Sequence, residues 1–425
     1  MKINELHKVF LQYPSVSTDT RKIKENDIFF ALKGDNFNGN KYALKAIEKG
    51  AAYVIVDEKE FAAHDKAILV NDVLKTLQNL ANFHRHYCHA KVISLTGSNG
   101  KTTTKELIHS VLATKYKTIA TKGNLNNHIG VPLSLLSIKA DTEIAIIEMG
   151  ANHQKEIEFL SRIAEPDFGY ITNFGKAHLE GFGGVEGVIK GKSELYDYLI
   201  TNDKVVFMNA DDPIQIEKLG GYIKKYGYST SDSRYYMIKM TTANPFVEIS
   251  VDDTNIKTKL IGDYNFTNCC AAILMGRYFN VPMKLIKKGL ESYLPNNNRS
   301  QILEKKGFKI ILDAYNANPS SMTMALENFS KLKATAKVLF LGDMFELGDT
   351  AREEHQAIAE LVKQLGFENA YLIGENFFAV DSDYQKFKTY DAMATFVREH
   401  DLPAGATLFI KGSRGMALER ILEYL

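Results

Sequence analysis

The sequence predicts an α/β protein of three domains built on parallel β-sheets, and three observations support this prediction. The chain has 425 residues, and a typical size of about 150 residues per domain predicts two or three domains. Apolar runs rich in β-branched residues recur before helix-like runs, and several are almost continuously apolar, as strands covered on both faces are. The helix-like runs repeat apolar residues with the period of an α-helix, so strands and helices alternate along the chain.

Nine runs are predicted as strands. They cover residues 52–56, 91–95, 143–149, 169–172, 204–208, 309–312, 337–341, 370–373 and 407–410. Two predicted helices each carry an apolar face, formed by Leu107, Ile108, Val111 and Leu112 in one and by Ile358, Leu361, Val362 and Leu365 in the other. Residues 235–260 are polar and alternating, which predicts antiparallel hairpins inserted late in the middle domain.

Two breaks in composition predict the domain boundaries. The tract HRHYCHA covers residues 84–90, and the Pro/Asn-rich tract LPNNNRSQ covers residues 294–301. The predicted domains are therefore 1–86, 87–296 and 297–425. The first tract could bind a metal through His84, His86, Cys88 and His89, but it lacks a second ligand cluster, so a solvated boundary is the preferred interpretation.

Composition excludes several classes of function. Lys and Arg number 52 against 51 Asp and Glu, so no global positive field exists to hold nucleic acid or an anionic membrane. Three cysteines are too few for a disulfide framework, and Cys269 and Cys270 are expected in the core. The sequence shows no signal-peptide pattern and no run of about 18 apolar residues, which predicts a soluble cytoplasmic protein without a nucleic-acid or membrane partner.

The segment VISLTGSNGKTTTKELI has the order strand, Gly-rich turn, Lys-Thr and amphipathic helix that a phosphate-binding loop requires. Backbone N–H groups and the helix N-terminus would bind phosphates, Lys101 would reach the β/γ oxygens, and Thr102 could ligate Mg²⁺. The first glycine of the standard pattern is absent, because that position is Leu95. The predicted ATP-binding residues of this loop are Thr96, Gly97, Ser98, Asn99, Gly100, Lys101, Thr102 and Thr103.

Two polar residues follow predicted strands. Glu148 ends an apolar strand, where a buried carboxylate needs a partner or a metal. Since strand carboxyl ends converge beside a phosphate loop, Glu148 is a candidate Mg²⁺ ligand, directly or through another group. His178 lies in a Gly-rich loop after another apolar strand and is a second candidate ligand.

Several blocks of sequence together resemble the ATP-dependent Mur ligase family of peptidoglycan synthesis. The blocks are residues 17–42, 96–106, 123–136, 148–157, 177–195, 297–326, 342–355 and 411–419. Among them GNLNNHIGVPLSLL, EMGANHQKEI and AHLEGFGGVEGVIKGKSEL resemble the branch that adds D-alanyl-D-alanine. The resemblance implies a central P-loop ATPase-type parallel sheet, a C-terminal Rossmann-like domain and a small N-terminal UDP-binding α/β domain.

The resemblance also implies roles for individual residues in ATP and metal binding. Lys101, Lys192 and His178 would be catalytic, and Thr102, Glu148, His178 and Lys192 would hold two Mg²⁺ ions. Lys192 falls where the family has a lysine carbamylated by CO₂. Asn265 and Asn268 match the family's adenine-side helix, and Arg299 and Asp313 match the pair that closes over the nucleotide.

The substrate residues follow from the same resemblance. Thr18, Asp19 and Arg21 match the uridine-side motif, with Thr20 in place of the commoner serine. Asn316, Asn318 and Ser321 lie in the segment DAYNANPSSM, where the incoming amine is expected. The implied function is ATP-dependent addition of D-alanyl-D-alanine to UDP-N-acetylmuramoyl-tripeptide through an acyl phosphate, by a monomer.

Other readings stay open at the level of sequence. One is another ligase of the same architecture, either a Mur-type ligase that adds the third residue or a folylpolyglutamate-synthase-like ligase. A second is a plain P-loop ATPase or kinase, which would release phosphate without the dipeptide. The third stem-peptide residue, diaminopimelate or lysine, is not defined by the sequence.

Overall fold

The structure is a computed structural model that describes residues 1–295 and 298–425. It contains one mainly parallel sheet in each of the three predicted regions, so the predicted α/β class is confirmed. The predicted boundary between residues 296 and 297 lies outside the described residues. Within the described ranges, no helix is long and apolar enough to cross a membrane.

The N-terminal region is a four-stranded parallel sheet of order β1-β2-β5-β6, with a small antiparallel hairpin, β3-β4, beside it. Its elements are α1 (Ile3–Gln12), β1 (Val16–Ser17), β2 (Ile28–Phe30), β3 (Lys33–Gly34), β4 (Phe37–Asn38), α2 (Ala43–Glu48), β5 (Tyr53–Val56), β6 (Ala67–Leu69) and α3 (Val73–Cys88). Asp72 caps α3 by accepting a hydrogen bond from the Lys75 N–H.

The tract at residues 84–90 is partly buried, so the prediction that it is a solvated boundary is wrong for part of its length. His84, Arg85 and Cys88 are buried on the last turns of α3, whereas His86, Tyr87 and His89 are exposed. His84 contacts His7 of α1 (Nδ1 to Nε2, 3.0 Å) and bonds the Ile138 carbonyl (2.8 Å). The buried His84 and Arg85 are therefore satisfied inside a contact between the first two regions, since buried polar groups need partners.

The middle region is a seven-stranded parallel sheet of order β13-β12-β11-β10-β7-β9-β8. Its elements are β7 (Lys91–Thr96), α4 (Lys101–Leu112), β8 (Thr118–Ala120), α5 (Gly130–Leu136), β9 (Ile144–Glu148), α6 (Glu156–Ala164), β10 (Phe168–Ile171), α7 (Leu179–Phe182), α8 (Val185–Thr201), β11 (Val205–Asn209), α9 (Pro213–Leu219), β12 (Lys225–Ser229) and β13 (Tyr236–Met237). The predicted apolar face of α4 is fully buried, as is the pair Cys269 and Cys270.

The predicted hairpins are confirmed for most of their length. An antiparallel sheet of order β14-β15-β16 comprises β14 (Lys239–Thr242), β15 (Phe246–Val251) and β16 (Thr254–Ile261). The start of the stretch is different, because β13 pairs in parallel with β12 at the edge of the main sheet. Two helices follow the hairpins, α10 (Tyr264–Tyr278) and α11 (Met283–Ser292).

The C-terminal region is a six-stranded sheet of order β17-β18-β22-β19-β20-β21, parallel except for β17. Its elements are β17 (Gln301–Lys305), β18 (Phe308–Asp313), α12 (Pro319–Lys331), β19 (Lys337–Gly342), α13 (Ala351–Gln364), β20 (Asn369–Ile373), α14 (Glu375–Phe378), β21 (Gln385–Phe387), α15 (Tyr390–Glu399) and β22 (Thr407–Lys411). On α13 the predicted face points inward, with Ile358 and Val362 buried and Leu361 and Leu365 half-buried.

Candidate active site

A cleft of about 860 Å³ lies between the middle and C-terminal regions, at the carboxyl ends of their parallel strands. This is where ligands bind in open α/β sheets. The cleft gathers most of the predicted residues, namely Ser98, Asn99, Gly100, Lys101, Thr102, Thr103, Glu148, His178, Asn265, Asn268, Arg299, Asp313, Asn316, Asn318 and Ser321. Thr96, Gly97, Lys192, Thr18, Asp19 and Arg21 are not among its lining residues.

The phosphate loop joins β7 to α4, and two of its positions require glycine. Gly97 has φ +140°, and a Cβ there would lie 2.0 Å from Thr172 Oγ1. Gly100 has φ +78°, and a Cβ there would lie 2.6 Å from Asn268 Oδ1. The loop therefore packs closely against β10 on one side and α10 on the other, in a backbone conformation that glycine adopts without strain.

Lys101 holds its ammonium over this loop. Its Nζ donates hydrogen bonds to the carbonyls of Gly97 (2.6 Å) and Ser98 (3.1 Å). The pKa of Lys101 is lowered to about 8, chiefly by burial; the charge of Glu148 opposes this shift and the charge of Arg299 adds to it. A lysine held in this way gains from an anion bound in the cleft, because the anion favours its charged form.

Glu148 ends β9 and is buried beside the loop. Its carboxylate accepts hydrogen bonds from Thr102 Oγ1 (3.0 Å) and Asn126 Nδ2 (2.8 Å), and Lys105 Nζ lies 3.7 Å from it. Sequence reasoning identified Glu148 and Thr102 but missed Lys105 and Asn126. The spacing of Lys105, three residues after Thr102 on the same helix, was the available signal.

His178 connects the middle and C-terminal regions. It begins α7 with φ +51°, and its Nδ1 forms an ion-pair contact with Glu346, a residue that sequence reasoning missed. The hydrogen bond to His178 lowers the pKa of Glu346. Among the described residues, no hydrogen bond or ion pair joins His178 to Glu148 or to Lys192.

Lys192 lies on α8 behind the wall of the cleft and is fully buried. Its Nζ donates to the carbonyl of Ala151 (3.1 Å), a residue that lines the cleft, and lies 4.8 Å from the centre of the Phe182 ring. Burial, and then the charge of Lys101, hold the pKa of Lys192 well below its ordinary value. Its amine is therefore biased toward the neutral, nucleophilic form.

The C-terminal wall of the cleft carries a buried ion pair. Asp313 ends β18 and Lys411 ends the neighbouring β22, and Lys411 Nζ lies 2.6 Å from Asp313 Oδ2. The N–H of Ser300 donates to Asp313 Oδ1 (3.0 Å). Arg299 stacks on Tyr315 with its guanidinium carbon 3.7 Å from the ring centre, and its buried Nε has no hydrogen-bond partner among the described residues. An unpaired buried donor that lines a cleft is a group that a ligand could satisfy.

The predicted adenine-side residues hold α10 against the phosphate loop. Asn268 Oδ1 accepts a hydrogen bond from Thr104 Oγ1 (2.9 Å), and Asn268 Nδ2 donates to Asn265 Oδ1 (2.9 Å). Asn265 Nδ2 in turn donates to the Ile261 carbonyl (2.7 Å). The two amides thus form one chain of hydrogen bonds that lines the cleft.

The amine-side residues surround the start of α12. Asn318 caps this helix by accepting from the Ser321 N–H (2.9 Å), and its Nδ2 donates to Asn99 Oδ1 of the phosphate loop (2.8 Å). Asn316 is exposed, and its carbonyl accepts from Lys411 Nζ (3.2 Å). The segment predicted to meet the amine therefore borders the predicted phosphate site.

The predicted uridine-side residues lie on a separate surface, in the loop after β1. Arg21 bonds both carboxylate oxygens of Asp19, and this lowers the pKa of Asp19 to about 2. Thr18 is half-buried in the same loop. The structure therefore separates these three residues from the cleft rather than placing them in it.

The residues of the cleft fit a magnesium ion bound mainly through phosphates. In the part of the chain that the structure describes, no group of three or more His, Cys, Asp or Glu side chains could hold a metal. Mg²⁺ is commonly bound through one or two carboxylates together with substrate phosphates and water. The Thr102 hydroxyl and the buried Glu148 carboxylate, 3.0 Å apart beside the phosphate loop, supply such a donor set.

Fold and site together define a three-domain enzyme of the phosphate-loop class. Three family profiles match the chain: "Mur ligase family, catalytic domain" over residues 12–85, "Mur ligase middle domain" over 95–276 and "Mur ligase, glutamate ligase domain" over 298–414. The chain belongs to the Mur ligase family, as its sequence blocks predict.

Individual relatives match over almost their full length. The UDP-N-acetylmuramoyl-tripeptide–D-alanyl-D-alanine ligase of Bacillus subtilis is 34% identical, with 96% of this chain and 92% of the relative covered. The crystal structure of MurF from Acinetobacter baumannii has a TM-score of 0.85 at 28% identity, covering 96% of this chain and 92% of that one. The MurF ligase of Thermotoga maritima, solved in complex with ADP, has a TM-score of 0.85 at 26% identity and 97% coverage of both chains.

Proposed function

We propose that this chain is the ATP-dependent ligase that joins D-alanyl-D-alanine to UDP-N-acetylmuramoyl-tripeptide, making the pentapeptide precursor of peptidoglycan in the cytoplasm. One observation carries the proposal. A phosphate loop with Lys101 faces Arg299 and the Asp313–Lys411 pair across a single cleft, in a chain that matches ligases of this name from end to end. A plain P-loop ATPase would leave the segment of Asn316, Asn318 and Ser321, which also lines the cleft, without a role.

The reaction has two steps. A carboxylate oxygen of the tripeptide attacks the γ-phosphorus of ATP, and the bond to the ADP oxygen breaks, which leaves an acyl phosphate. The dipeptide amine then attacks the acyl carbon, phosphate leaves with the electrons of the acyl–oxygen bond, and the amine loses a proton. The main demands are placement and neutralisation of negative charge.

Residues that line or border the cleft would place the reactants and neutralise their negative charge. Lys101 would meet the β/γ-phosphate oxygens, and the buried Nε of Arg299, unpaired within the described ranges, would donate to the nucleotide. Bound Mg²⁺ would neutralise phosphate charge, held by Thr102 and Glu148, with His178 and Lys192 as the further ligands of a second ion. Asn126 and Lys105 orient Glu148 for this task.

A carbamate on Lys192 is part of the proposal. The neutral amine would attack CO₂ at carbon and release one proton, forming an N-carboxylate. Two properties support this reaction: the pKa of Lys192 is lowered by burial, and its amine lies against the carbonyl of Ala151, within reach of the cleft wall. The product would be an anionic ligand where the unmodified side chain is a cation.

The UDP-sugar is proposed to bind the N-terminal region through Thr18, Asp19 and Arg21. The amine is proposed to enter beside Asn316, Asn318 and Ser321. Contacts between the middle and C-terminal regions, such as Lys176 with Glu354 (2.7 Å), would help to exclude water from the acyl phosphate.

The decisive experiment combines phosphate release with isotope transfer. The purified chain is supplied with ATP, Mg²⁺ and tripeptide labelled with ¹⁸O in its terminal carboxylate, with or without D-alanyl-D-alanine. We expect ¹⁸O in the released phosphate and amide formation that depends on the dipeptide. Equal phosphate release without the dipeptide, or phosphate free of label, would contradict the proposal. Supplying tripeptides that end in diaminopimelate or in lysine identifies the third residue.

A further inference from the structure

Helix α12 is tied at both ends to the middle region, on either side of the nucleotide cleft. It has 13 residues, so it is about 20 Å long. Its N-terminal end contacts the phosphate loop and its C-terminal end contacts the start of α10. Ser321 and Met324, on the same helix, line the cleft between these two ends.

The N-terminal tie is a bond between two asparagine side chains. Asn318 uses both ends of its amide, since Oδ1 caps α12 and Nδ2 donates to Asn99 Oδ1 (2.8 Å). Asn99 is itself fixed by its backbone, whose carbonyl accepts from Thr172 Oγ1 (2.6 Å) and whose N–H donates to Asn173 Oδ1 (3.0 Å). A movement of the phosphate loop at Asn99 is therefore transmitted directly to the start of α12.

The neighbouring contacts make this tie close-packed. Ser320 Oγ accepts from the Lys176 N–H (2.8 Å), and a Cβ on Gly175 would lie 2.9 Å from Asn99 Nδ2 and 3.1 Å from Ser320 Oγ. In the part of the chain that the structure describes, the buried Nδ2 of Asn99 has no hydrogen-bond partner, so it can donate to a group bound in the cleft.

The C-terminal tie lies at the other side of the nucleotide site. Asn328 exchanges two hydrogen bonds with Asp263, one to its N–H (3.0 Å) and one to its carboxylate (2.7 Å). Lys331 lies 3.3 Å from the same carboxylate. Asp263 immediately precedes α10, the helix that carries Asn265 and Asn268.

We propose that the Asn99–Asn318 bond makes α12 a coupling element, through which the position of the phosphate loop sets the position of the amine-binding segment. Asn318 is then a positioning residue for the second step of ligation. This inference rests on the proposed function, because it assigns a role to α12 within the two-step reaction. Loss of the bond leaves acyl phosphate formation in place but exposes the intermediate to water.

The test uses Asn318→Ser, because serine still caps a helix but is too short to reach Asn99. Asn318→Ala removes the cap as well and serves as the structural comparison. The control is Glu327→Ala, on the exposed side of the same helix. Each variant is assayed for the ratio of phosphate released to amide formed, for the KM of ATP and of the dipeptide, and for melting temperature.

We expect the unsubstituted protein to release one phosphate for each amide formed, and Asn318→Ser to release more than one. The variant's kcat/KM for the dipeptide should fall about fivefold, as loss of one hydrogen bond predicts. The KM of ATP and the melting temperature should stay close to those of Glu327→Ala. In a double-mutant cycle with Asn99→Ala, the double variant should be no worse than the more impaired single variant.

Three results would overturn the inference. The first is a phosphate-to-amide ratio of one in Asn318→Ser, and the second is a double variant whose loss of kcat/KM equals the product of the losses in the two single variants. The third is an Asn318→Ser variant that has a lower melting temperature but unchanged kinetics. Failure of the parent protein to form any amide would instead overturn the proposed function, so the two failures are distinguishable.

Discussion

At the scale of single residues, the site depends on two lysines whose surroundings disfavour their charge. Lys101 and Lys192 are both held below their ordinary pKa, chiefly by burial, and the second also by the charge of the first. The same physical effect serves two purposes in the proposed reaction. One amine must carry its charge when phosphate is bound, whereas the other must be neutral to react with CO₂.

The pKa of Lys101 predicts how ATP binding depends on pH. Below about pH 8 the ammonium is already charged, whereas above pH 8 binding must take up a proton, because the phosphates raise the pKa of the lysine in the complex. We therefore expect the Kd of a non-hydrolysable ATP analogue to be flat from about pH 7 to 8 and to rise above pH 8, by at most about tenfold per pH unit. Equilibrium titration at each pH measures this Kd. The control is Lys101→Met, which should bind the analogue more weakly and show no rise of Kd above pH 8. Parallel curves for the two proteins would contradict the assignment.

Lys192 provides a test of the proposed carbamate. Lys192→Ala should reduce ligation by about a hundredfold, the upper range for loss of a group that supports a metal site. It also leaves a cavity that a small carboxylate can enter, so formate should restore part of the rate. Lys192→Met fills the same space without an anion, and formate should not restore its activity. The response to formate is measured by amide formation, with circular dichroism as the check on folding. Equal responses of Lys192→Ala and Lys192→Met would count against the carbamate.

Three of the residues that sequence reasoning missed, Lys411, Asn126 and Glu346, are recognisable only through partners elsewhere in the chain. Lys411 acts through Asp313, which is 98 residues earlier, and Asn126 acts through Glu148. Glu346 reaches His178 from another domain. Motif spacing identifies residues within one loop or helix, but it carries no information about which loops meet.

At the scale of elements, the strands were the most predictable feature because burial on both faces leaves a continuous apolar run. The runs at 91–95 and 337–341 correspond to β7 and β19, each one residue longer in the structure. The strands β8 and β12 escaped prediction because they lie toward the sheet edges and mix polar with apolar residues. The tract at 84–90 misled in part for the opposite reason, since its polar residues His84 and Arg85 are buried and hydrogen-bonded.

The phosphate loop offers an element-scale prediction at Gly100. Gly100→Ala adds a Cβ 2.6 Å from Asn268 Oδ1, so it should displace the amide chain that joins α4 to α10 and weaken ATP binding. The matched control is Gly307→Ala in the β17–β18 turn. Gly307 has φ +85°, close to the +78° of Gly100, but no atom of the described residues lies within 4 Å of a Cβ added at Gly307. Both variants carry backbone strain of about 1 kcal/mol, measured by thermal unfolding. Only Gly100→Ala should also raise the Kd of ATP, and an equal loss of ATP affinity in both would refute the clash as its cause.

At the scale of the whole molecule, the proposed function divides the substrates between the three regions. The cleft beside the phosphate loop is built by the middle and C-terminal regions, whereas the proposed uridine-side residues lie in the loop after β1 of the N-terminal region. The order of domains was predictable from the resemblance to a family. Their contacts were not, because Asn99 and Asn318 are 219 residues apart and only the fold brings them together.

This division of labour predicts separable kinetic effects. Arg21→Ala should raise the KM of the UDP-sugar substrate by about tenfold, the loss expected for a charged hydrogen bond, and leave the KM of ATP and of the dipeptide within twofold, because Arg21 lies outside the cleft. Arg234 is a close control, since its side chain is 84% exposed against 86% for Arg21 and each pairs with the Asp two residues before it. Steady-state kinetics with each substrate varied in turn measures these constants. If Arg21→Ala raised all three KM values together, or if Arg234→Ala had the same effect, Arg21 would act through the stability of the chain rather than through the UDP-sugar.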